Sequence, residues 1–241
     1  MKIEICANSY QSAFNAQNAG AHRIELCSEL SVGGITPSYG LIKHVIESLT
    51  IPVFVLIRPR SGNFTYSDIE FEIMKRDILL CKDLGCHGIV SGVLNSDHTI
   101  NFKRTQELVS LSKPLSFTFH RAFDWTPNPL DALQQLIALG VDRILTSGQE
   151  SSAIKGVELL KKLKEKAENK LIILPGGGIN DKNITQFKVL DFNEIHTSAS
   201  IMKKVNNIPK ISMNSTKLFD ETIEVYSSEN KIRSIVKNCK K

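Results

Sequence analysis

The stretch FTFHRAFD (117–124) carries a polar cluster directly after a short apolar run. Residues 117–119 have the aromatic and β-branched character of the end of a buried strand. His120, Arg121 and Asp124 follow without an intervening turn residue. Because buried charges are costly unless they are paired, this stretch predicts a strand whose carboxyl end holds a functional site. The alternative is a salt bridge that caps the next helix.

Short apolar runs alternate with longer amphipathic segments along most of the chain. The predicted strands are 3–6, 23–27, 53–57, 88–91, 115–119, 143–146, 171–174 and 194–197. Strands that alternate with helices pair in parallel through right-handed crossovers, and eight such units in about 250 residues are typical of a (β/α)₈ TIM barrel. A doubly wound sheet is the alternative, but no GxGxxG motif follows the first run.

The α/β barrel is predicted to occupy residues 1–200 as a single domain. Residues 201–241 form a polar C-terminal segment, with one amphipathic pattern near 229–238, that completes or flanks the barrel. The 241 residues, 41% of them hydrophobic, are enough for one large core. No linker, low-complexity stretch or block of like charge divides the chain.

Composition also limits the classes of partner and the compartment that the sequence predicts. The net charge of +5 is not arranged as a basic stripe with aromatic residues, which argues against nucleic acid as a partner. No apolar run is long enough to predict a membrane span or a signal peptide. The five cysteines form no CxxC pair, a pattern that indicates free thiols in a reducing compartment such as the cytoplasm.

Acid–base chemistry is the first interpretation of the polar strand ends, because barrel active sites lie at the carboxyl ends of the strands. Glu25, His120, Asp124 and His196 are the candidate proton carriers. Arg121 beside His120 is expected to keep the imidazole neutral, as suits a general base. Both histidines have an alternative interpretation, as hydrogen-bonded residues of the core.

Anion binding is the second interpretation. Glycines let backbone N–H groups approach an oxyanion, and barrels of this type often bind phosphate at the last loops. Arg58 follows the third strand and is expected to grip a second anionic group. The alternative is that the glycines only permit tight turns. The predicted anion-binding residues are Ser147, Gly148, Gly176, Gly177, Gly178 and Ser198.

A soft metal site is the third interpretation. Cys6 and Cys27 end adjacent predicted strands, so their sulfur atoms are expected to lie close together. Two thiolates suit Cu(I), and a histidine can add a third ligand. The alternative is that both cysteines serve as small apolar residues of the core.

Several long motifs resemble those of a known family. They are EIC (4–6), GAHRIELCSELSVGGITPS (20–38), IRPRSGNFTY (57–66), DILLCKDLGCHGIVSGVL (77–94), FTFHRAFD (117–124), ILTSG (144–148), PGGGI (175–179) and EIHTS (194–198). In this order and spacing, residues 1 to about 200 resemble the CutC family of copper homeostasis proteins. His22 stands where Asp is common, and Asn193 where Gly is common.

The resemblance implies a TIM barrel, a cytoplasmic setting, a homodimer or higher homo-oligomer, and Cu(I) bound by Cys6 and Cys27. The family's presumed active site corresponds to Glu25, Arg58, His120, Arg121, Asp124 and His196. Two functions follow as hypotheses. The first is Cu(I) binding for copper homeostasis. The second is an enzyme that acts on a small anionic or phosphorylated metabolite by acid–base chemistry.

Overall fold

The computed structural model describes residues 1–205, 210–211 and 220–240, and these contain a barrel of parallel strands. The strands are β1 (Lys2–Ala7), β2 (Arg23–Leu26), β3 (Val53–Leu56), β4 (Gly88–Ser91), β5 (Ser116–Phe119), β6 (Arg143–Thr146), β7 (Ile172–Pro175) and β8 (Glu194–Thr197). Their order in the sheet is β7-β6-β5-β4-β3-β2-β1-β8. A parallel bridge between Gly176 and His196 joins the two outer strands and closes the barrel. The predicted TIM barrel is confirmed.

Helices surround the barrel and begin and end where the sequence supplies caps. They are α1 (Tyr10–Asn18), α2 (Tyr39–Ser48), α3 (Asp68–Asp83), α4 (Phe102–Ser112), α5 (Pro129–Ala138), α6 (Val157–Ala167), α7 (Ile184–Val189) and α8 (Glu229–Lys240). Ser67 and Glu70 form a capping box at the start of α3. Gly85, at φ +77°, ends that helix and turns the chain into β4. Within the described residues, no helix has the length and apolar character needed to cross a membrane.

Alternation along the strands separates an apolar outer face from a reactive inner face. Ile3 and Ile5 of β1 pack outward against the helices in the main core. Cys6 of the same strand instead belongs to a small inner cluster with Cys27 and Phe54. The barrel therefore turns its thiols inward, below the carboxyl ends of the strands.

The chain after residue 200 adds a ribbon and the last helix. β9 (Ser200–Lys204) and β10 (Ile223–Ser227) pair antiparallel as a two-stranded sheet. Helix α8 then packs between α7 and α1. Ser227 donates a hydrogen bond of 3.1 Å to the carbonyl oxygen of Cys6, so the ribbon is anchored beside the end of β1. The sequence predicted the helix but not these two strands.

Candidate functional site

The carboxyl ends of the strands surround a cavity of about 790 Å³. The predicted site residues in its wall are Cys6, Glu25, Arg58, His120, Arg121, Gly177, Gly178, His196 and Ser198. The other predicted site residues lie outside that wall: Cys27, Asp124, Ser147, Gly148 and Gly176. Most of the residues that the sequence singled out therefore converge on one space.

The thiols of Cys6 and Cys27 form a close pair below this cavity. Their sulfur atoms are 3.6 Å apart, within hydrogen-bonding distance for sulfur. The backbone N–H of Cys27 donates to the carbonyl of Ala7, which fixes the end of β2 against the end of β1. Cys27 is fully buried, whereas Cys6 lines the cavity. Parallel pairing thus creates a dithiol that is open to the cavity on one side only.

Gly34 allows a loop to close over the inner side of this dithiol. Its φ of +86° is the left-handed conformation that glycine adopts without strain. A Cβ atom at this position would lie 2.7 Å from the Leu56 side chain and 3.5 Å from the sulfur of Cys27. The loop between β2 and α2 can therefore pack against Cys27 only because residue 34 has no side chain.

His196 connects the dithiol to two buried carboxylates. Its Nδ1 atom is 2.7 Å from Oε1 of Glu4 and 3.5 Å from Oε2 of Glu25. Burial opposes the charged imidazole. Hydrogen bonds with Cys6 and Glu4 and the charges of both carboxylates outweigh burial and raise the pKa of His196 well above its usual value. The imidazole is therefore protonated near neutral pH.

The two carboxylates beside His196 have opposite pKa shifts. Burial raises the pKa of Glu25 to about 7, although the charge of His196 acts against this shift. Burial also acts to raise the pKa of Glu4, but the charge of Arg23 and the contact with His196 outweigh it and lower that pKa to about 2. Glu25 is therefore the group of this cluster that exchanges its proton most readily near neutral pH.

A series of buried ion pairs holds the side chain of Glu4 in place. Arg23 donates to Oε2 of Glu4 at 2.5 Å and to Glu194 at 2.6 Å, and Arg143 donates to Glu194 at 2.9 Å. Both guanidinium groups lie over the ring of Phe54, at 4.5 Å and 5.3 Å. These buried charges are thus paired across four strands and fix the floor of the site.

His120 lies in the cavity wall in a defined tautomer. The backbone N–H of Ala122 donates to its Nδ1 atom at 3.2 Å, so a neutral ring carries its proton on Nε2. Burial, together with the charge of Arg58, lowers the pKa of His120 to about 3. The ring packs over Gly92, where a Cβ atom would lie 2.7 Å from Nδ1.

The neutral form of His120 was predicted, but burial and the charge of Arg58 cause it rather than Arg121. In this tautomer the neutral ring carries a hydrogen-bond donor at Nε2, and the general-base role stays a prediction.

The guanidinium of Arg58 is engaged with the backbone. It donates to the carbonyl oxygens of Val32 and Gly34 at 2.8 Å and 2.7 Å, and to that of Gly62 at 2.8 Å. These bonds fasten the loop over Cys27 to the loop after β3. Arg58 therefore positions loops and adds positive charge near His120. The predicted grip on a second anion would compete with these bonds.

Asp124 organises the loop after β6. It accepts hydrogen bonds from the hydroxyl of Thr146 at 2.5 Å and from the backbone N–H of Ser147 at 3.1 Å, and it pairs with Arg121 at 2.8 Å. The N–H of Gly148 donates to the hydroxyl of Thr146. The Ser147 and Gly148 amides, which we predicted to bind an anion, thus already have acceptors, so that prediction now rests on the later loops.

The loops after β7 and β8 line the cavity with Gly177, Gly178 and Ser198. The N–H of Gly176 donates to Thr146 within the sheet. By contrast, the N–H groups of Gly178 and Ser198 have no acceptor among the described residues. Gly178 has a φ of +73°. Lys231 of α8 also lines the cavity here. The loops after β7 and β8, together with Lys231, therefore supply the N–H donors and the positive charge that anion binding requires.

Comparisons with known proteins agree with this fold and site. The sequence profile of the CutC family matches residues 1–201. The chain belongs to the CutC family. The copper homeostasis protein cutC homolog of Homo sapiens is 48% identical over 200 residues, which cover 82% of this chain and 72% of the human protein. The resemblance predicted from the motifs is confirmed.

Solved structures place this CutC chain among TIM barrels. A crystal structure of a CutC copper homeostasis protein from Streptococcus agalactiae superposes with a TM-score of 0.78 at 35% identity, covering 82% of this chain and 98% of the other. A thiamine phosphate pyrophosphorylase from Pyrococcus furiosus has a TM-score of 0.61 at 12% identity and covers 99% and 95%. The second likeness concerns the fold alone.

The family match spans every site residue that the sequence predicted, since the last of them is Ser198. The predicted set lacked Glu4 and Arg23, which hold His196 and the floor of the site. A signal for both was available, because each stands two residues before a predicted site residue, Cys6 or Glu25, and alternate residues of a strand share a face. In this chain Glu4 contacts His196, and Arg23 in turn holds Glu4.

Proposed function

We propose that this CutC chain binds Cu(I) between Cys6 and Cys27 and thereby serves copper homeostasis. The observation that carries the proposal is the 3.6 Å separation of the two sulfur atoms. Two metal–thiolate bonds of about 2.3 Å span up to about 4.6 Å, so a single ion fits between the sulfurs. Thiolate ligands favour soft ions such as Cu(I).

His196 is the natural third ligand once its imidazole has lost a ring proton, because only a neutral ring nitrogen binds a metal. Its imidazole lines the same cavity as Cys6, and Glu4 fixes its orientation through Nδ1 at 2.7 Å. A carboxylate behind a metal-binding imidazole orients the ring and increases its basicity. The copper assignment itself comes from the names of the relatives, because two thiols and an imidazole also suit Zn²⁺. The cytoplasmic setting and the homo-oligomer stay predictions of the family resemblance.

Cu(I) affinity is expected to fall as the pH falls. A hydrogen bond with Cys27, together with burial, raises the pKa of Cys6 well above the usual value for a thiol, so the metal-free protein holds a proton that Cu(I) must displace. Loss of at least one proton on binding corresponds to at least about a tenfold weaker affinity for each unit of lowered pH. Anaerobic titration against a competing Cu(I) chelator at several pH values measures this slope. A flat profile, or no uptake of Cu(I), contradicts the proposal.

We propose an enzyme acting on a small anionic metabolite as the second candidate function. The observation that favours it is Glu25, whose pKa is raised to about 7 by burial and whose side chain faces the cavity. A carboxyl group with such a pKa suits general acid–base catalysis at neutral pH. The open amides of Gly178 and Ser198 would hold a phosphate or carboxylate of the substrate.

A thermal-shift screen with phosphorylated metabolites tests this second candidate. A ligand at about 100 times its dissociation constant adds about 2.7 kcal/mol, or about 5–10 °C in Tm for a chain of this size. We expect Lys231→Ala to reduce the shift, because Lys231 lines the cavity. Lys237→Ala, an exposed position on the same helix, is the matched control. If no anion shifts the Tm, or if both variants respond alike, this candidate fails.

A further inference from the structure

Three side chains in the floor of the cavity have the composition of a second, harder metal site. We propose that Glu4, Glu25 and His196 bind a divalent cation of the zinc type, separately from the Cu(I) site at the thiols. One carboxylate oxygen of each glutamate and one ring nitrogen of His196 all lie within 4.8 Å of one another. Two carboxylates and an imidazole suit borderline and hard divalent ions rather than Cu(I).

The distances require little movement. In a tetrahedral site with bonds of about 2.1 Å, neighbouring ligand atoms are about 3.4 Å apart. The contact between His196 Nδ1 and Glu25 Oε2 already measures 3.5 Å. The contact between Nδ1 and Glu4 Oε1 measures 2.7 Å and must widen as the ion replaces the shared proton. The remaining pair, one oxygen of Glu4 and one of Glu25, also lies within 4.8 Å, so all three side chains are near the spacing that one ion requires.

An independent observation indicates that one side chain of this group lacks a binding partner. Oε2 of Glu25 is buried and has no hydrogen-bond partner among the described residues. The side chain of Glu25 is about nineteen-twentieths buried, with 5% of its residue surface exposed. A carboxylate oxygen left without a donor in such surroundings is costly. A cation bound to Oε2 would supply the missing partner.

The surroundings hold the three ligands in place. Arg23 binds Oε2 of Glu4 and leaves Oε1 directed at His196. Partners of this kind, behind the ligands, fix carboxylate orientation in metal sites. Glu25 and His196 line the cavity, which gives an ion a path to the site and a side from which water or a ligand can complete its coordination.

The site is separate from the dithiol in its donor atoms. Neither Cys6 nor Cys27 belongs to the group of ligand atoms that lie within 4.8 Å of one another. His196 belongs to both sites, as the third Cu(I) ligand and as the nitrogen ligand of the hard site, so occupation of both sites requires each of its two ring nitrogens to bind one ion. Removal of the thiols should therefore abolish the soft site and leave the hard one.

Zn²⁺ titration by calorimetry in the Cys6→Ser, Cys27→Ser background tests the proposal. We expect one Zn²⁺ per chain, and we expect an added Glu25→Gln to weaken it at least about tenfold, the lower end of the loss seen when even a partner behind a ligand is removed. Glu165→Gln, an exposed site on α6, is the control for lost negative charge. Absence of Zn²⁺ binding in the background variant, or equal affinity with and without Glu25→Gln, overturns the proposal.

Co²⁺ absorption in the unmodified chain gives a second readout that does not depend on variants folding. Co²⁺ in a site of oxygen and nitrogen ligands shows d–d bands without sulfur-to-cobalt charge transfer. We expect such a spectrum once the thiols are saturated with Cu(I). If Co²⁺ gives only charge-transfer bands, or is excluded by prior Cu(I) loading, the hard site does not exist.

Discussion

The double variant Cys6→Ser, Cys27→Ser is expected to lose more than about 100-fold in Cu(I) affinity. Removal of a partner that merely supports a metal ligand already costs about 10–100-fold, and this variant removes two ligands themselves. Serine oxygen is a hard donor and does not replace a thiolate for Cu(I). Competition with a Cu(I) chelator under anaerobic conditions measures the loss.

The chain supplies a matched control in a second pair of buried cysteines. Cys81 and Cys86 lie at the end of α3, where the backbone N–H of Cys86 donates to the carbonyl of Cys81. They belong to the main core between the barrel and its helices, away from the cavity wall. Cys81→Ser, Cys86→Ser should keep Cu(I) affinity. Equal losses in both double variants, or wild-type affinity in the first, would reject the dithiol site.

Glu194→Ala is expected to lower the free energy of unfolding by about 3–5 kcal/mol, as is typical when one partner of a buried ion pair is removed. Glu194 is 2% exposed and accepts from both Arg23 and Arg143 through one carboxylate oxygen. Its loss leaves Arg143 without a carboxylate among the described residues and Arg23 with Glu4 alone. Burial of guanidinium charge without a partner is the source of the cost.

Urea unfolding followed by circular dichroism measures this change. Glu229→Ala removes the partner of Arg233 on the exposed face of α8 and should cost only about 0–1 kcal/mol. A cost for Glu194→Ala that is no larger than that of this surface control would mean that the buried pairs add no stability. The ion pairs would then serve only to hold the side chains of the functional site in position.

The barrel was predictable because strand and helix periods alternate without interruption from residue 3 to residue 197. The same pattern placed Glu25 and His196 at the strand ends where barrel active sites lie, and the structure brings them within 3.5 Å. The pairing of Cys6 with Cys27 followed from their positions at the ends of adjacent strands. These predictions needed only local pattern and parallel topology.

The features that the sequence did not reveal depend on hydrogen bonds made by loops. Asp124 was predicted as a candidate proton carrier, and its oxygens accept hydrogen bonds from the loop after β6. Arg58 looked like an anion clamp, but its nitrogens meet backbone carbonyls. Such contacts depend on loop conformations that no periodicity encodes. The β9–β10 ribbon was missed because its two short strands are separated by a polar stretch, 205–222, in the tail.

X-ray absorption at the copper K edge of the Cu(I)-loaded chain tests most directly whether Cys6 and Cys27 hold one ion. The account predicts two sulfur neighbours at about 2.3 Å, typical of metal–thiolate bonds, and one nitrogen neighbour from His196. The sulfur signal should vanish in the Cys6→Ser, Cys27→Ser variant. A first shell of oxygen and nitrogen alone in the wild-type chain would contradict the account.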